Sequence, residues 1–176
     1  ALPPIADLEA KITAKTKAIV ICNPNNPTGY LYSKAEMEQL KELILKYNLY
    51  LFSDEAYREF CYEGEQVSAM HLTGVDEHVI IMDTISKRYS ACGGRIGALV
   101  TKNQSVLDAV MKFAQARLSP PSFAQIAGEA AIDLPADYFD TTKAEYKKRR
   151  DLIVKRLNEM EGVFCPNPGG AFYAMA

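Results

Sequence analysis

The chain has 176 residues, a formal net charge of −2 and 48% hydrophobic residues, which predicts a folded globular protein rather than a disordered one. The weak negative charge disfavours binding to nucleic acid or to an anionic membrane, and no apolar segment reaches the roughly 20 residues that span a bilayer. The four cysteines lie far apart, and neither they nor the two histidines show metal-ligand spacing, so we expect reduced thiols in a cytoplasmic protein and no metal site.

The first part of the chain alternates apolar runs with polar loops. Residues 5–14 are predicted to form a short amphipathic helix. Ser33 and Glu36 form a capping box followed by apolar residues at helical spacing, so a second helix is expected there. Short apolar runs that indicate buried strands lie at residues 17–22, 49–53, 78–83 and 96–100. This alternation predicts an α/β fold with a three-layer, mostly parallel sheet and crossover helices.

The second part of the chain is predicted to be mainly helical. The periodic patterns indicate helices at residues 103–116, 123–132 and 135–160. The last of these is long and heavily charged, and we expect it to lead away from the sheet. Residues 162–164 and 171–175 are then predicted as two strands around a turn at 166–170. Two strands alone are marginally stable, so this end of the chain is expected to be an incomplete small α+β domain.

Polar clusters follow the ends of three successive predicted strands. The carboxyl edge of an open α/β sheet is where ligands bind, and an amine kept from water at such an edge is a stronger nucleophile at neutral pH. The side chains in these clusters that we expect to contact a ligand are Asn26, Asp54, Tyr57, Thr84, Ser86, Lys87 and Arg95.

Each cluster also has a simpler structural explanation. Asn-Pro-Thr-Gly is a good turn sequence in any protein, Asp54 could cap a helix, and Tyr57 could belong to the core. Most lysines in polar loops are solvated, so Lys87 alone decides nothing. Coincidence explains the three clusters poorly, because together they offer partners for one ligand.

Three motifs resemble those of the fold-type I enzymes that use pyridoxal phosphate, and among them the class I and II aminotransferases. Residues 23–29 (NPNNPTG) are similar to the family's N-P-x-N-P-T-G loop, and residues 54–57 (DEAY) to its D-E-x-Y. Residues 84–87 (TISK), followed by Arg95, resemble S-x-S-K...R, with threonine in place of the usual serine. The motifs occur in the family's order, and their wording is most similar to bacterial aspartate-type aminotransferases.

The resemblance implies catalytic roles for Lys87, Asp54 and Tyr57. Lys87 would form the resting Schiff base with pyridoxal 5'-phosphate and, once released, would carry the proton from the substrate's α-carbon. Asp54 would keep the ring nitrogen protonated, so that the ring acts as an electron sink. Asn26 and Tyr57 would hydrogen-bond the phenolic oxygen of the cofactor, which lowers the proton affinity of the imine.

The remaining residues are implied to hold the phosphate and the substrate. Arg95 would grip the phosphate through a fork of donors, and Thr84 and Ser86 would add hydroxyl groups. Asn26 is also expected to contact the substrate, and the family pattern implies a cis bond between Asn26 and Pro27.

The family's chains are more than twice this length, so the resemblance implies a fragment. Residues 1–134 would form the second half of the large cofactor domain, and residues 135–176 the connecting helix and the start of the small domain. The family's phosphate loop, ring-stacking aromatic residue and substrate-carboxylate arginine match nothing in this sequence. We therefore expect the isolated chain to be inactive, and the complete protein to be a homodimer that converts amino acids and 2-oxo acids.

Other functions remain open at this point. Carbon-sulfur lyases of the same fold type use the same lysine, aspartate, tyrosine and arginine, but they release the substrate's side chain after proton removal. A cofactor-sensing domain of a transcription regulator would also carry these motifs, preceded by a DNA-binding domain. An α/β domain with coincidental turns is the least informative alternative.

Overall fold

The structure is a computed structural model that describes residues 2–135 and 137–176, and within these residues four strands form one sheet. The strands, in spatial order, are β1 (Ala18–Cys22), β2 (Tyr50–Asp54), β3 (Val79–Thr84) and β4 (Gly97–Val100). β1, β2 and β3 are parallel, whereas β4 runs antiparallel to β3. The predicted mostly parallel sheet is therefore confirmed. β4 is antiparallel because residues 85–96 return the chain from the end of β3, a connection that needs no crossover helix.

Six α-helices flank or follow the sheet in the described residues. They are α1 (Ile5–Glu9), α2 (Lys34–Tyr47), α3 (Ile85–Arg88), α4 (Gln104–Arg117), α5 (Ser122–Ala130) and α6 (Tyr138–Asn158). Short 3₁₀ turns lie at Ala69–His71, Cys92–Gly94 and Ala131–Asp133. None of the described helices combines the length and the apolar character required to cross a bilayer.

The predicted capping box at the start of α2 is confirmed. The Ser33 hydroxyl accepts a hydrogen bond from the Glu36 backbone amide, and the Glu36 carboxylate accepts one from the Ser33 amide. Asn48 ends the helix in the left-handed conformation, which asparagine tolerates better than most residues. The chain then enters β2 directly. Both ends of the crossover helix α2 are therefore fixed by residues at those ends.

The main core lies between α2 and the sheet. Met37, Leu40 and Ile44, on one side of α2, are completely buried. They pack with sheet residues that include Ile21, Leu51, Val79 and Ile81, and part of α1 also contacts this cluster. Burying such side chains is the main favourable contribution to folding. The strand ends that carry the predicted site residues are therefore held on a rigid layer.

Several predicted elements differ from the structure. α1 ends at Glu9 rather than at residue 14, because hydroxyl groups of Thr13 and Thr16 accept hydrogen bonds from backbone amides and form a local turn. Lys87, expected in a loop, lies on the short helix α3, whose N-cap is Thr84. The two strands predicted at residues 162–164 and 171–175 are wrong.

The C-terminal segment pairs with loops instead of forming a hairpin. The backbone amide of Gly170 donates to the carbonyl of Gly29 at 2.9 Å, and that of Ala171 donates to the carbonyl of Phe60 at 2.9 Å. Cys165 exchanges two hydrogen bonds with the side chain of Asn158. These partners satisfy the backbone groups of the segment, which would otherwise need hydrogen bonds from a neighbouring strand.

The long helix α6 confirms the helix predicted in this region and anchors the C-terminal segment. Arg150 is buried, with only 6% of its surface exposed. Its guanidinium donates to the Pro168 carbonyl at 2.9 Å and to the Glu63 carboxylate at 2.9 Å, and it lies 4.9 Å from the centre of the Tyr62 ring. A buried charge is tolerated when it is paired and hydrogen-bonded in this way.

Helices α4 and α5 leave large apolar side chains on the surface. Phe113 is 77% exposed and Phe123 is 90% exposed. Large apolar side chains that are exposed to this extent are typical of a surface that another unit covers.

Candidate active site

The parallel strands bring the predicted site loops to one edge of the sheet. Asp54 is the last residue of β2, and its register partners are Cys22 at the end of β1 and Met82 on β3. Asn26 follows β1 closely, and Lys87 lies on α3, directly after β3. All three side chains therefore belong to the carboxyl edge, the usual position of ligand sites in such sheets.

Asn26, Tyr57 and Lys87 form the centre of this site. The Nδ2 of Asn26 donates a long hydrogen bond of 3.5 Å to the Tyr57 hydroxyl. The Nζ of Lys87 lies 5.9 Å from the centroid of the Tyr57 ring. Within the described chain, Lys87 belongs to no ion pair, in contrast to the neighbouring Arg88. The amine is therefore not neutralised by a carboxylate of this chain.

The Tyr57 phenol is kept protonated by its surroundings. Only 4% of the residue is exposed. Burial raises the pKa of Tyr57 well above the usual value, and the nearby negative charge of Asp54 acts in the same direction. At neutral pH the phenol consequently retains a proton that it can donate to an anionic oxygen.

Asp54 keeps one oxygen available at the edge of the sheet. Its Oδ1 accepts a hydrogen bond of 3.0 Å from the Ala56 backbone amide, whereas its Oδ2 has no hydrogen-bond partner among the residues that the structure covers. A partly buried carboxylate with a free oxygen can hold the proton of a basic ring nitrogen. This is the role that the family resemblance implies for Asp54.

The second acid of the D-E-A-Y motif points into the interior. Glu55 is fully buried, and its Oε1 accepts hydrogen bonds from the hydroxyls of Ser53 and Ser68, each at 3.1 Å, and from the Ala69 amide at 2.9 Å. This arrangement ties the end of β2 to the 3₁₀ turn at Ala69–His71. Glu55 thus fixes the orientation of Asp54 without facing the site itself.

Thr84, Ser86 and Arg95 line one cavity of about 320 Å³, together with Arg117. The Thr84 oxygen lies 2.8 Å from the Ile96 carbonyl and 2.8 Å from the Ser86 hydroxyl. Because a carbonyl can only accept, Thr84 donates to Ile96 and receives the Ser86 proton. Arg95 donates to the Cys92 carbonyl at 3.1 Å and has no carboxylate partner among residues 2–135 and 137–176. Arg95 and Arg117 therefore give the cavity the positive charge that suits a phosphate group, whereas both hydroxyl protons are directed at other acceptors in this structure.

An ion-pair network braces the helix that carries Lys87. Arg88 donates two hydrogen bonds, of 2.9 and 2.8 Å, to the two carboxylate oxygens of Asp83. Arg58 approaches the same carboxylate at 3.5 Å and contacts Glu59 at 3.3 Å. The side chains of Arg88 and Asp83 are only 12% and 16% exposed, so solvent screens this pair less than a surface pair. The network fixes α3 against β3 and the loop that follows β2.

The sequence model of the family described as "Aminotransferase class I and II" matches residues 4–176. The chain belongs to the class I and II aminotransferase family. The putative aminotransferase YugH of Bacillus subtilis (strain 168) is 38% identical over 170 residues, which are 96% of this chain and 44% of that protein. An aspartate aminotransferase of Sulfurisphaera tokodaii is 36% identical over 172 residues, which are 96% of this chain and 42% of that protein.

Solved structures of aminotransferases share the fold of this chain. Alanine aminotransferase from Pyrococcus furiosus superimposes with a TM-score of 0.90 at 41% identity, covering 98% of this chain and 45% of that one. Thermus thermophilus aspartate aminotransferase with maleate gives a TM-score of 0.89 at 31% identity, covering 98% of this chain and 45% of that one. The chain thus spans less than half the length of the aminotransferases that it matches.

The structure places the seven predicted site residues at the expected edge, in two groups. Asn26 and Lys87 both lie next to Tyr57, and Asp54 is the last residue of β2. Thr84, Ser86 and Arg95 share the cavity described above. The peptide bond between Asn26 and Pro27 is cis, as predicted from the family pattern, and the bond between Asn23 and Pro24 is cis as well.

Sequence reasoning missed three residues at this edge. Tyr173 contacts the Tyr57 hydroxyl, Arg117 lines the cavity shared by Thr84, Ser86 and Arg95, and Arg88 braces the helix of Lys87. The only local signal for Arg88 is that it is a charged residue directly next to Lys87, and this signal is weak. No local signal pointed to Tyr173 or Arg117, because each reaches the site from a distant part of the chain.

Proposed function

We propose that this chain is part of a pyridoxal 5'-phosphate-dependent aminotransferase, which transfers an amino group between an amino acid and a 2-oxo acid. The observation that carries the proposal is the meeting of Asn26, Tyr57 and Lys87 beside the strand end that bears Asp54. The cofactor supplies a protonated pyridine ring that withdraws electrons from the substrate's α-carbon. The side chains of this chain supply charge, hydrogen bonds and proton transfer.

Two charged groups would divide the acid and base work. The free oxygen of Asp54 would hold the proton of the ring nitrogen, since a carboxylate beside a protonated nitrogen stabilises that proton. The Nζ of Lys87 would attach the cofactor and, when free, would take up the proton of the substrate's α-carbon. The absence of an ion pair to Lys87 within the described residues leaves its amine available for both tasks.

The remaining side chains would orient the cofactor. Asn26 and Tyr57 would donate hydrogen bonds to its phenolic oxygen, and Asn26 would also contact the substrate. Arg95, Thr84 and Ser86 would hold the phosphate in their shared cavity, where the guanidinium would supply charge and the hydroxyls, on turning away from their present partners, would donate hydrogen bonds. These contacts would orient the cofactor relative to Asp54.

The choice of amino-acid substrate is the more specific part of the proposal. We infer aspartate as the first donor to test, because the relative from S. tokodaii is named an aspartate aminotransferase. The alanine aminotransferase among the solved structures makes alanine the second. The experiment is an assay of the intact protein that contains this chain, with each amino acid, 2-oxoglutarate and added pyridoxal phosphate.

A matched pair of lysine variants tests the central role of Lys87. Lys87→Ala should abolish both amino transfer and the visible absorption of the bound cofactor, whereas Lys148→Ala, on the exposed face of α6, should retain both. Release of ammonia and a keto acid without an amino acceptor would instead indicate a carbon-sulfur lyase. Full activity of Lys87→Ala would refute the proposal.

We also propose the setting in which this site works. Residues 1–134 would belong to the cofactor domain and residues 135–176 to a connecting helix and a smaller domain of a cytoplasmic homodimer. Free, widely spaced cysteines support a reducing compartment, and the exposed apolar residues of α4 and α5 support a covering subunit. The isolated chain should be inactive. A stable visible band after mixing it with pyridoxal phosphate, lost in Lys87→Ala, would contradict that last point.

A further inference from the structure

Tyr173 reaches the candidate active site from the C-terminal segment. Its hydroxyl lies 2.6 Å from the hydroxyl of Tyr57, and the centres of the two rings are 5.5 Å apart. The two tyrosines are 116 residues apart in sequence. Either oxygen can be the donor in a bond between two hydroxyls, so geometry alone leaves the direction of the bond open.

Counting protons at Tyr57 decides that direction. A phenol has one proton to donate and two lone pairs that accept. The Nδ2 of Asn26, which lies 3.5 Å from the Tyr57 oxygen, can only donate to it. If Tyr57 gives its proton to the phenolic oxygen of the cofactor, the bond to Tyr173 must run from Tyr173 to Tyr57. The Tyr57 oxygen then accepts from Asn26 and Tyr173, and its single proton is directed at the ligand.

The segment that carries Tyr173 is held firmly against both site loops. The Gly170 amide donates to the Gly29 carbonyl in the loop of Asn26, and the Ala171 amide donates to the Phe60 carbonyl in the loop of Tyr57. These close backbone contacts leave no space for larger residues, because a Cβ on Gly170 would lie 2.7 Å from the Cβ of Pro24. The position of the Tyr173 hydroxyl is therefore fixed by the same contacts that join the two loops.

We propose that Tyr173 is a positioning residue, which donates a hydrogen bond to Tyr57 and thereby directs and strengthens the bond from Tyr57 to the cofactor. A hydroxyl that accepts a hydrogen bond becomes a better donor, since successive bonds in a chain polarise one another. The proposal rests on the proposed function, because the acceptor beyond Tyr57 is the cofactor. Tyr173 itself touches neither the cofactor nor the substrate in this role.

The test is a pH titration of the visible absorption of the intact protein loaded with pyridoxal phosphate. Tyr173→Phe removes one donor and should move the midpoint upward by about 0.5 to 1 pH unit, the equivalent of one neutral hydrogen bond. Tyr57→Phe should move it further. In the Tyr57→Phe background the second change, Tyr173→Phe, should have no effect, because the chain of bonds is already broken.

Two further variants separate this role from simple packing. Tyr62→Phe changes a partly buried tyrosine of the same aromatic region whose buried hydroxyl has no hydrogen-bond partner in the described residues, and it should leave the midpoint unchanged. Replacing Tyr173 alone by 3-fluorotyrosine, a more acidic phenol and a stronger donor, should lower the midpoint. Circular dichroism of each variant verifies the fold.

The possible outcomes distinguish the two proposals. A wild-type protein with no titrating visible band would overturn the proposed function, and the role of Tyr173 with it. A normal wild-type titration that Tyr173→Phe leaves unchanged would overturn the role of Tyr173 alone. Additive shifts in the double variant would also refute it, because they would show that Tyr173 acts independently of Tyr57.

Discussion

Replacing Gly29 by alanine should separate the Asn26 loop from the C-terminal segment. Gly29 has a backbone φ of +68°, and a Cβ at this position would lie 2.2 Å from the Cβ of Pro168 and 2.8 Å from the carbonyl oxygen of Gly170. Both partners belong to the segment that carries Tyr173, and neither is the flexible end of a side chain. The backbone itself must therefore move to admit one methyl group.

The cost has two parts that can be calculated separately. An alanine in the left-handed region costs roughly 1–2 kcal/mol, and forcing an extra carbon into a packed site costs about 1–3 kcal/mol more. The free energy of unfolding should consequently fall by about 2–5 kcal/mol. Gly74→Ala is the matched control, because Gly74 has a φ of +80° and an added Cβ meets no atom within 4 Å. The free energy of unfolding of Gly74→Ala should fall only by the cost of the left-handed backbone.

Urea denaturation of the intact protein measures both variants, and a binding titration with pyridoxal phosphate reports on the site. Gly29→Ala should be less stable than Gly74→Ala and should bind the cofactor more weakly, since the same loop positions Asn26. Equal stability of the two variants would refute the argument, because it would mean that the contact with Pro168 adjusts at no cost.

Three further changes test other parts of the structure. Asp83→Asn removes the negative charge that pairs with Arg88, where both side chains are mostly buried. The free energy of unfolding, measured by thermal denaturation, should fall by about 2–4 kcal/mol. An unchanged melting temperature would show that this ion pair does not brace α3. Ser33→Ala removes the capping box of α2 and should cost about 1 kcal/mol in the same assay. Burial raises the pKa of the Cys61 thiol from 9.0 to about 11. Above pH 9 the thiol therefore loses its proton in the unfolded chain but keeps it in the folded protein. The free energy of unfolding should consequently fall as the pH rises from 9 towards 11. Urea midpoints across this range should fall less steeply in Cys61→Ala than in the wild type, whereas Cys92→Ala, at an exposed position, should follow the wild type.

Local sequence determined the features that depend on neighbouring residues. The capping box at Ser33, the strand that ends at Asp54 and the turn-rich loop of Asn26 each arise from chemistry within a few residues. The same windows contain the family's motifs, because a side chain at the end of a strand can serve a ligand only at a fixed distance from that end. Fold class and family could therefore be predicted without coordinates, and so could the residues that line the candidate site.

Tertiary structure alone decided which distant segments meet. The segment at residues 171–175 has the apolar pattern of a strand, but the amide of Ala171 and that of the preceding Gly170 find partners in the loops of Phe60 and Gly29, and no strand forms. The contact between Tyr57 and Tyr173 depends on how that segment packs across both loops. Such contacts follow from the packing of the whole fold. A shift of the C-terminal segment by one residue would bring a different side chain to the site. A local sequence pattern carries no information about how that segment is aligned with the two loops.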